Sequence, residues 1–120
     1  MSKNNIKNPD VYIWDMLFEI GHIEKFMQRG DLHDEMVGHA VLRAFTVLGE
    51  ACKRIGDDVK QKNQHIPWQK IIGIRNILSH EYEEINLQRI GKIITDDLPT
   101  LKIELLLLYK TLTGDDYYEA

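Results

Sequence analysis

The chain has 120 residues, the usual size of one compact domain. Hydrophobic residues make up 43% and charged residues 28%, a balance that supports a packed core and excludes a disordered chain. The net charge of −4 argues against broad binding of nucleic acid through a basic surface, so any such contact must be local.

The apolar segments and the start of the chain suggest a protein of the cytoplasm. Residues 1–8 are polar, and no segment approaches the ~20 apolar residues that cross a bilayer. We therefore expect a cytoplasmic protein with no membrane contact and a single domain over residues 1–120, with a flexible start over 1–8 and a flexible tail over 114–120. The single cysteine, Cys52, falls on the apolar side of a predicted helix and is expected to be a buried, unreactive thiol.

Two helices are predicted in the first half of the chain. Asp10 is suited to cap a first helix that runs to about Arg29. Its apolar residues at helical spacing are Val11, Trp14, Leu17, Phe18 and Gly21. The second helix, about residues 34–55, has the most regular apolar stripe, and Gly56 marks its end.

The second half of the chain predicts a loop and three further helical segments. A polar loop covers residues 57–65, and a third helix begins at Pro67 and ends near Tyr82 or Glu83. Asn86 can cap a fourth helix, which Pro99 must kink or break near residue 97, so that residues 101–112 form a fifth segment. These elements predict an all-α, antiparallel bundle of four to five helices.

The fifth segment is apolar around most of its circumference at Leu105–Leu108. Such a surface suits a buried helix or a subunit interface better than an exposed one. We therefore predict a homodimer.

One segment at the end of the third helix concentrates polar groups: Arg75, Asn76, Ser79, His80 and Tyr82. In a straight helix Arg75 and His80 diverge by roughly 140°, whereas Arg75 and Tyr82 project from nearly the same side. Either the helix ends before His80, or a second subunit completes a composite pocket. From spacing alone the simpler interpretation is structural, with Arg75 paired to a carboxylate and His80 beside the helix end.

The segment Arg75–Tyr82 resembles the R-x-x-x-x-H-x-Y signature of HepT-like proteins in the HEPN superfamily. Three further stretches resemble the same family: residues 48–51, residues 66–68, and residues 97–99 with Leu101. Together they cover most of residues 10–112. The resemblance implies a HEPN-like fold and a homodimeric, metal-independent endoribonuclease without cofactor, the toxin of a type VII-like toxin–antitoxin system.

Within that resemblance, Arg75 and His80 hold the catalytic positions, Asn76 and Ser79 support the active site, and Tyr82 receives AMP from a minimal nucleotidyltransferase antitoxin of the MntA type. RNA cleavage by its own 2′-hydroxyl needs proton transfer and a cation for the phosphorane, which imidazole and guanidinium can supply. AMP on Tyr82 would add an anion and a bulky nucleoside that block the site. The alternative is a non-catalytic helical module that binds nucleotide or docks a nucleotidyltransferase.

Three other patterns have ordinary structural interpretations. Glu19 and His22 have the Glu-x-x-His spacing of di-iron bundles, but the other helices supply no second such motif, so we expect a solvated face and no metal. On the second helix, polar residues opposite the apolar stripe are expected to form a structural network: His39, Arg43, Thr46 and Glu50. Basic residues gather in residues 53–75, where solvated charge explains them at least as well as a phosphate track.

Overall fold

The computed structural model describes residues 8–80 and 87–118, with only the helical backbone for residues 75–77, 79 and 80. Within these ranges every regular element is a helix, as the sequence predicts. The six helices are α1 (Pro9–Met27), α2 (Glu35–Arg54), α3 (Asp57–Lys62), α4 (Trp68–His80), α5 (Leu87–Asp96) and α6 (Leu98–Thr113). None of the helices in the described ranges is both long and apolar enough to span a membrane.

The helix starts follow from residues that satisfy or remove the first backbone N–H groups. Asp34 caps α2, because its carboxylate accepts a hydrogen bond from the Val37 backbone N–H at 3.0 Å. The predicted cap of α1 was wrong: Asn8 holds that position, and Asp10 lies inside the first turn. The helix begins earlier because Pro9, whose φ is already helical, occupies its first position.

The predicted loop over residues 57–65 was wrong in its first part, which forms α3. Asp57 and Asp58 lie in the first turn of α3, where negative charge is favourable. Val59 is the buried residue of this helix. The predicted break near residue 97 is confirmed, because α5 ends at Asp96 and α6 begins at Leu98. That last helix begins three residues before the predicted Leu101 because Pro99 lies in its first turn, where no N–H is needed.

The core lies between α1, α2, α4 and α6. Helix α1 packs against α2 and α6, α2 packs against α4, and α5 packs against α6. The largest completely enclosed side chains come from α1, α2, α6 and the segment before α4: Ile13, Met16, Leu17, Ile20, Ile23, Val41, Phe45, Leu48, Cys52, Ile66 and Leu105. Helix α2 therefore lies at the centre of the bundle and buries the stripe that its sequence predicts.

The apolar side predicted for α1 is only partly the buried one. Ile13, Leu17 and Ile20 face the core, whereas Trp14 is 39% exposed. The Trp14 ring stacks on Phe18 at 5.0 Å between centroids and meets the edge of Tyr117 at 5.9 Å. Because α1 is apolar on two sides, the packing of α2 and α6, not the spacing of apolar residues, decides which side is buried. Tyr117, in the segment predicted to be a tail, thus covers one part of this ring.

Gly38 permits the closest backbone approach in the first turn of α2. A Cβ at this position would lie 2.6 Å from the Leu32 carbonyl oxygen, a distance that requires the backbone to move. We expect Gly38→Ala to lower the free energy of unfolding by about 1–3 kcal/mol, the usual cost of overpacking. Gly21→Ala is the matched control, since a Cβ there meets no described atom within 4 Å, and it should stabilise α1 by about 0.5–1 kcal/mol. Urea unfolding of both variants measures the difference, and equal midpoints would contradict the steric argument.

Candidate functional site

Helix α4 carries four of the five predicted site positions, namely Arg75, Asn76, Ser79 and His80. Tyr82 lies outside the described residues. His80 has helical backbone, so the possibility that the helix ends before it and redirects it is wrong. On this helical backbone, positions 75 and 80 therefore project roughly 140° apart.

Positions 76 and 80 lie on the side of α4 away from the core. Ile74 and Leu78 are buried, and each precedes one of these positions by two residues, which is about 200° around the helix. Positions 76 and 80 are one helical turn apart on that outer side. Packing of the apolar face against α2 thus fixes which side of the helix faces the core.

The start of α4 is held by the segment before it and by α2. The Trp68 indole N–H donates to the Asn63 carbonyl at 3.0 Å, and the Asn63 side chain donates to the Val59 carbonyl at 2.9 Å. The Cys52 thiol of α2 donates to the Trp68 carbonyl at 3.6 Å. Pro67 itself lies one residue before the helix, and its carbonyl accepts from the Ile71 N–H. These bonds fix the axis of the helix that carries the motif.

The Cys52 thiol is buried, as the sequence predicts, and it is a poor candidate for a nucleophile. Burial raises its pKa to about 11, and nearby Lys60 only partly offsets this. Since only the thiolate is strongly nucleophilic, a neutral buried thiol is unsuited to catalysis at physiological pH. Its role here is to pack between α2 and the start of α4.

The Glu19 and His22 pair is not the solvated face that the sequence predicts. The His22 Nδ1 lies 3.2 Å from a Glu19 carboxylate oxygen, and the Glu19 side chain is only 15% exposed. The imidazole ring meets Phe18 edge-on at 4.3 Å between centroids. The pair is therefore a packed element of α1, with no third ligand group grouped around it in the described part of the chain.

A groove of about 440 Å³ runs between α4 and α5 beside the motif. Lys70 and Gly73 of α4 lie on one wall, and Arg89 and Lys92 of α5 lie on the other. Lys70 donates to an Asp97 carboxylate oxygen at 2.9 Å, which ties α4 to the junction of α5 and α6. Arg89 and Lys92 were missed by the sequence analysis, although their spacing of three residues places them on one face of a predicted helix.

A second groove, of about 390 Å³, lies on the other side of Lys70. Lys60 and Gln61 of α3 line it together with Gln64 and Gln69. Of the basic cluster predicted over residues 53–75, the structure thus brings Lys60 and Lys70 to one groove. Lys70 lines both grooves.

The fold and the motif define an all-helical bundle with an Arg-x-x-x-x-His segment on an internal helix. A family model described as Ribonuclease HepT-like matches residues 13–107, from the second turn of α1 to the last turns of α6. The chain belongs to this family.

The relatives span most of the same length. The chain is 32% identical over 108 residues to the protein named Putative RNase MJ1380 of Methanocaldococcus jannaschii. The aligned region covers 87% of this chain and 96% of that protein. It is 33% identical over 95 residues to the protein named Probable ribonuclease HepT of Thermococcus cleftensis, covering 76% and 86%. No solved structure matches this chain.

Proposed function

We propose that this protein is a metal-independent endoribonuclease whose active site is built around Arg75 and His80. The observation that carries the proposal is the family match over residues 13–107, which includes both residues of the motif. The relatives named as RNases support the same activity.

In the proposed reaction the 2′-oxygen of a ribose attacks the adjacent phosphorus and the 5′-oxygen leaves. His80 transfers protons, because imidazole exchanges a proton near neutral pH, and Arg75 stabilises the charge on the phosphorane. Asn76 and Ser79 orient the substrate. The products are a 2′,3′-cyclic phosphate and a 5′-hydroxyl.

Incubation of the purified protein with RNA in excess EDTA tests the proposal. Cleavage that persists and leaves the two stated end groups supports it. Loss of all cleavage in EDTA with recovery on addition of a divalent metal would contradict the metal-independent mechanism. Binding of RNA or nucleotide without any cleavage would favour the non-catalytic module instead. The acidic net charge of the chain points to the same alternative.

The biological role that fits such an enzyme is a toxin that acts on RNA in the cytoplasm and is controlled by a nucleotidyltransferase antitoxin of the MntA type. The relative named as a ribonuclease HepT supports the family context. In the proposed control step the Tyr82 hydroxyl attacks the α-phosphorus of ATP, a new phosphodiester forms and pyrophosphate leaves. The added anion then competes with substrate phosphate for Arg75.

A homodimer is part of the proposal, because positions 75 and 80 diverge on one continuous helix. The predicted apolar excess in α6 divides between two sides: Leu105 and Leu108 enter the core, while Leu107 is 65% and Ile103 is 60% exposed. Ile103 and Leu107 are one turn apart and form an apolar surface that a second copy could cover.

We expect Leu107→Glu to shift the protein from dimer to monomer, as measured by light scattering at roughly tens of micromolar. The reason is that an unpaired carboxylate buried in the interface costs on the order of several kcal/mol. Met36→Glu is the matched control, since Met36 is an exposed apolar residue of α2. Met36→Glu should leave the dimer mass measured by light scattering unchanged. A monomeric wild-type protein would refute the dimer.

A further inference from the structure

Two grooves along the start of α4 share Lys70 in their walls, and we call them together the track. One groove opens between α4 and α5, and the other opens beside α3 and the segment before α4. Lys60 lies in the second groove, Arg89 and Lys92 lie in the first, and Lys70 belongs to both. Cations are therefore distributed along the whole track and not confined to one end.

The track carries a positive local balance in a protein whose net charge is −4. Four cationic side chains and three acidic ones line it, the acids being Asp57, Asp96 and Asp97. Asp97 is engaged with Lys70 at 2.9 Å. Lys92 is exposed on α5, where it can meet a ligand phosphate. The surrounding groups include three glutamine amides, which can donate to phosphate or sugar oxygens.

The track and the proposed active site share helix α4. Gly73 lines the groove between α4 and α5, and position 80 lies seven residues further along the helix, two turns away on the same side. From position 70 to position 80 the helix rises about 15 Å. A Cβ at Gly73 would meet no described atom within 4 Å, so the groove is open at this point.

We infer that this track binds the sugar–phosphate backbone of single-stranded RNA and guides the strand to position 80. The inference rests on the proposed ribonuclease function, and it adds the surface that holds the substrate. Lysine and arginine neutralise phosphates without reading the bases, so the contact is independent of sequence. The mixed charge of the grooves limits the affinity for RNA, which allows the product strands to leave after cleavage.

Direct binding of RNA tests the inference separately from cleavage. The probe is a fluorescently labelled single-stranded RNA oligonucleotide, and the protein carries His80→Ala so that it is not cut. Lys70→Gln with Lys92→Gln in that background removes two cations from the track. We expect the dissociation constant to rise roughly tenfold, and the salt dependence of log K to become shallower by about 0.7 for each phosphate that is no longer neutralised. The affinities for oligouridine and oligoadenine should fall equally.

The matched control removes the same charge elsewhere. Lys25→Gln with Lys110→Gln also removes two exposed lysines. Lys110 forms an ion pair with Asp116, just as Lys70 forms one with Asp97. This variant should bind the oligonucleotide within about twofold of the parent, because long-range charge alone is screened. Circular dichroism confirms that both double variants remain folded.

The outcomes separate this inference from the proposed function. Salt-dependent binding that depends on Lys70 and Lys92 supports the track, even if the wild-type protein cuts no RNA. Equal affinity of the two double variants overturns the track, even if the wild-type protein cleaves RNA. A protein that neither binds nor cuts RNA overturns both.

Discussion

Alanine in place of His80 or of Arg75 is expected to lower the rate of RNA cleavage by ~10²–10⁴-fold, the usual effect of losing a group that transfers protons or stabilises developing charge. His80 is the proton-transfer group of the proposed reaction, and Arg75 is its phosphorane cation. Arg75→Lys should also be impaired, because an ammonium group cannot offer the two parallel N–H donors of guanidinium. Single-turnover cleavage of a labelled RNA measures each rate.

The chain provides matched controls for both substitutions. His39 and Arg43 are exposed on α2, so alanine at either position removes the same chemical group from a different helix. Both controls should cleave RNA at the wild-type rate. Circular dichroism and light scattering establish that the catalytic variants keep the fold and the oligomeric state. Full activity of His80→Ala in a folded protein would refute the mechanism.

Tyr82→Phe is expected to prevent covalent control of the enzyme while leaving its activity intact. Phenylalanine lacks the hydroxyl that would attack the α-phosphorus of ATP, but it keeps the ring. After co-expression with the cognate nucleotidyltransferase, the wild-type protein should gain the mass of one or more AMP units and lose ribonuclease activity. The variant should show neither change, and it should remain toxic to its host.

Tyr118→Phe is the control for the modification, because Tyr118 is the most exposed tyrosine described and lies away from the motif. It should accept AMP and lose activity as the wild-type protein does. Intact-mass measurement followed by peptide mapping locates the modified residue. Covalent AMP on Tyr82→Phe would assign the acceptor to another side chain and remove the proposed competition with Arg75.

Several features of the fold are readable from local sequence alone. The start of α2 beside Asp34, the break between α5 and α6 near Pro99 and the burial of Cys52 are each as predicted. The first two features depend on interactions within one or two helical turns, and the burial of Cys52 follows from its place on the apolar side of α2. The family motif is equally local, since Arg75 and His80 stand five positions apart. The sequence therefore contains the chemistry of the site.

Other features depend on which elements pack together. The sequence of α1 allows two apolar sides, and contact with α2 and α6 selects the side of Ile13 and leaves Trp14 partly exposed. The short helix α3 forms where a polar loop was predicted, because burial of Val59 adds tertiary contacts to a weak local preference.

The sequence by itself determined that this chain is helical, the approximate extent of its main helices, and which motif it carries. Only the tertiary structure decided that Lys70 and Lys92 line one groove although they are far apart in sequence. The physical reason is that helix periodicity is set by hydrogen bonds between near neighbours, whereas a groove exists only after two helices have packed their apolar sides together.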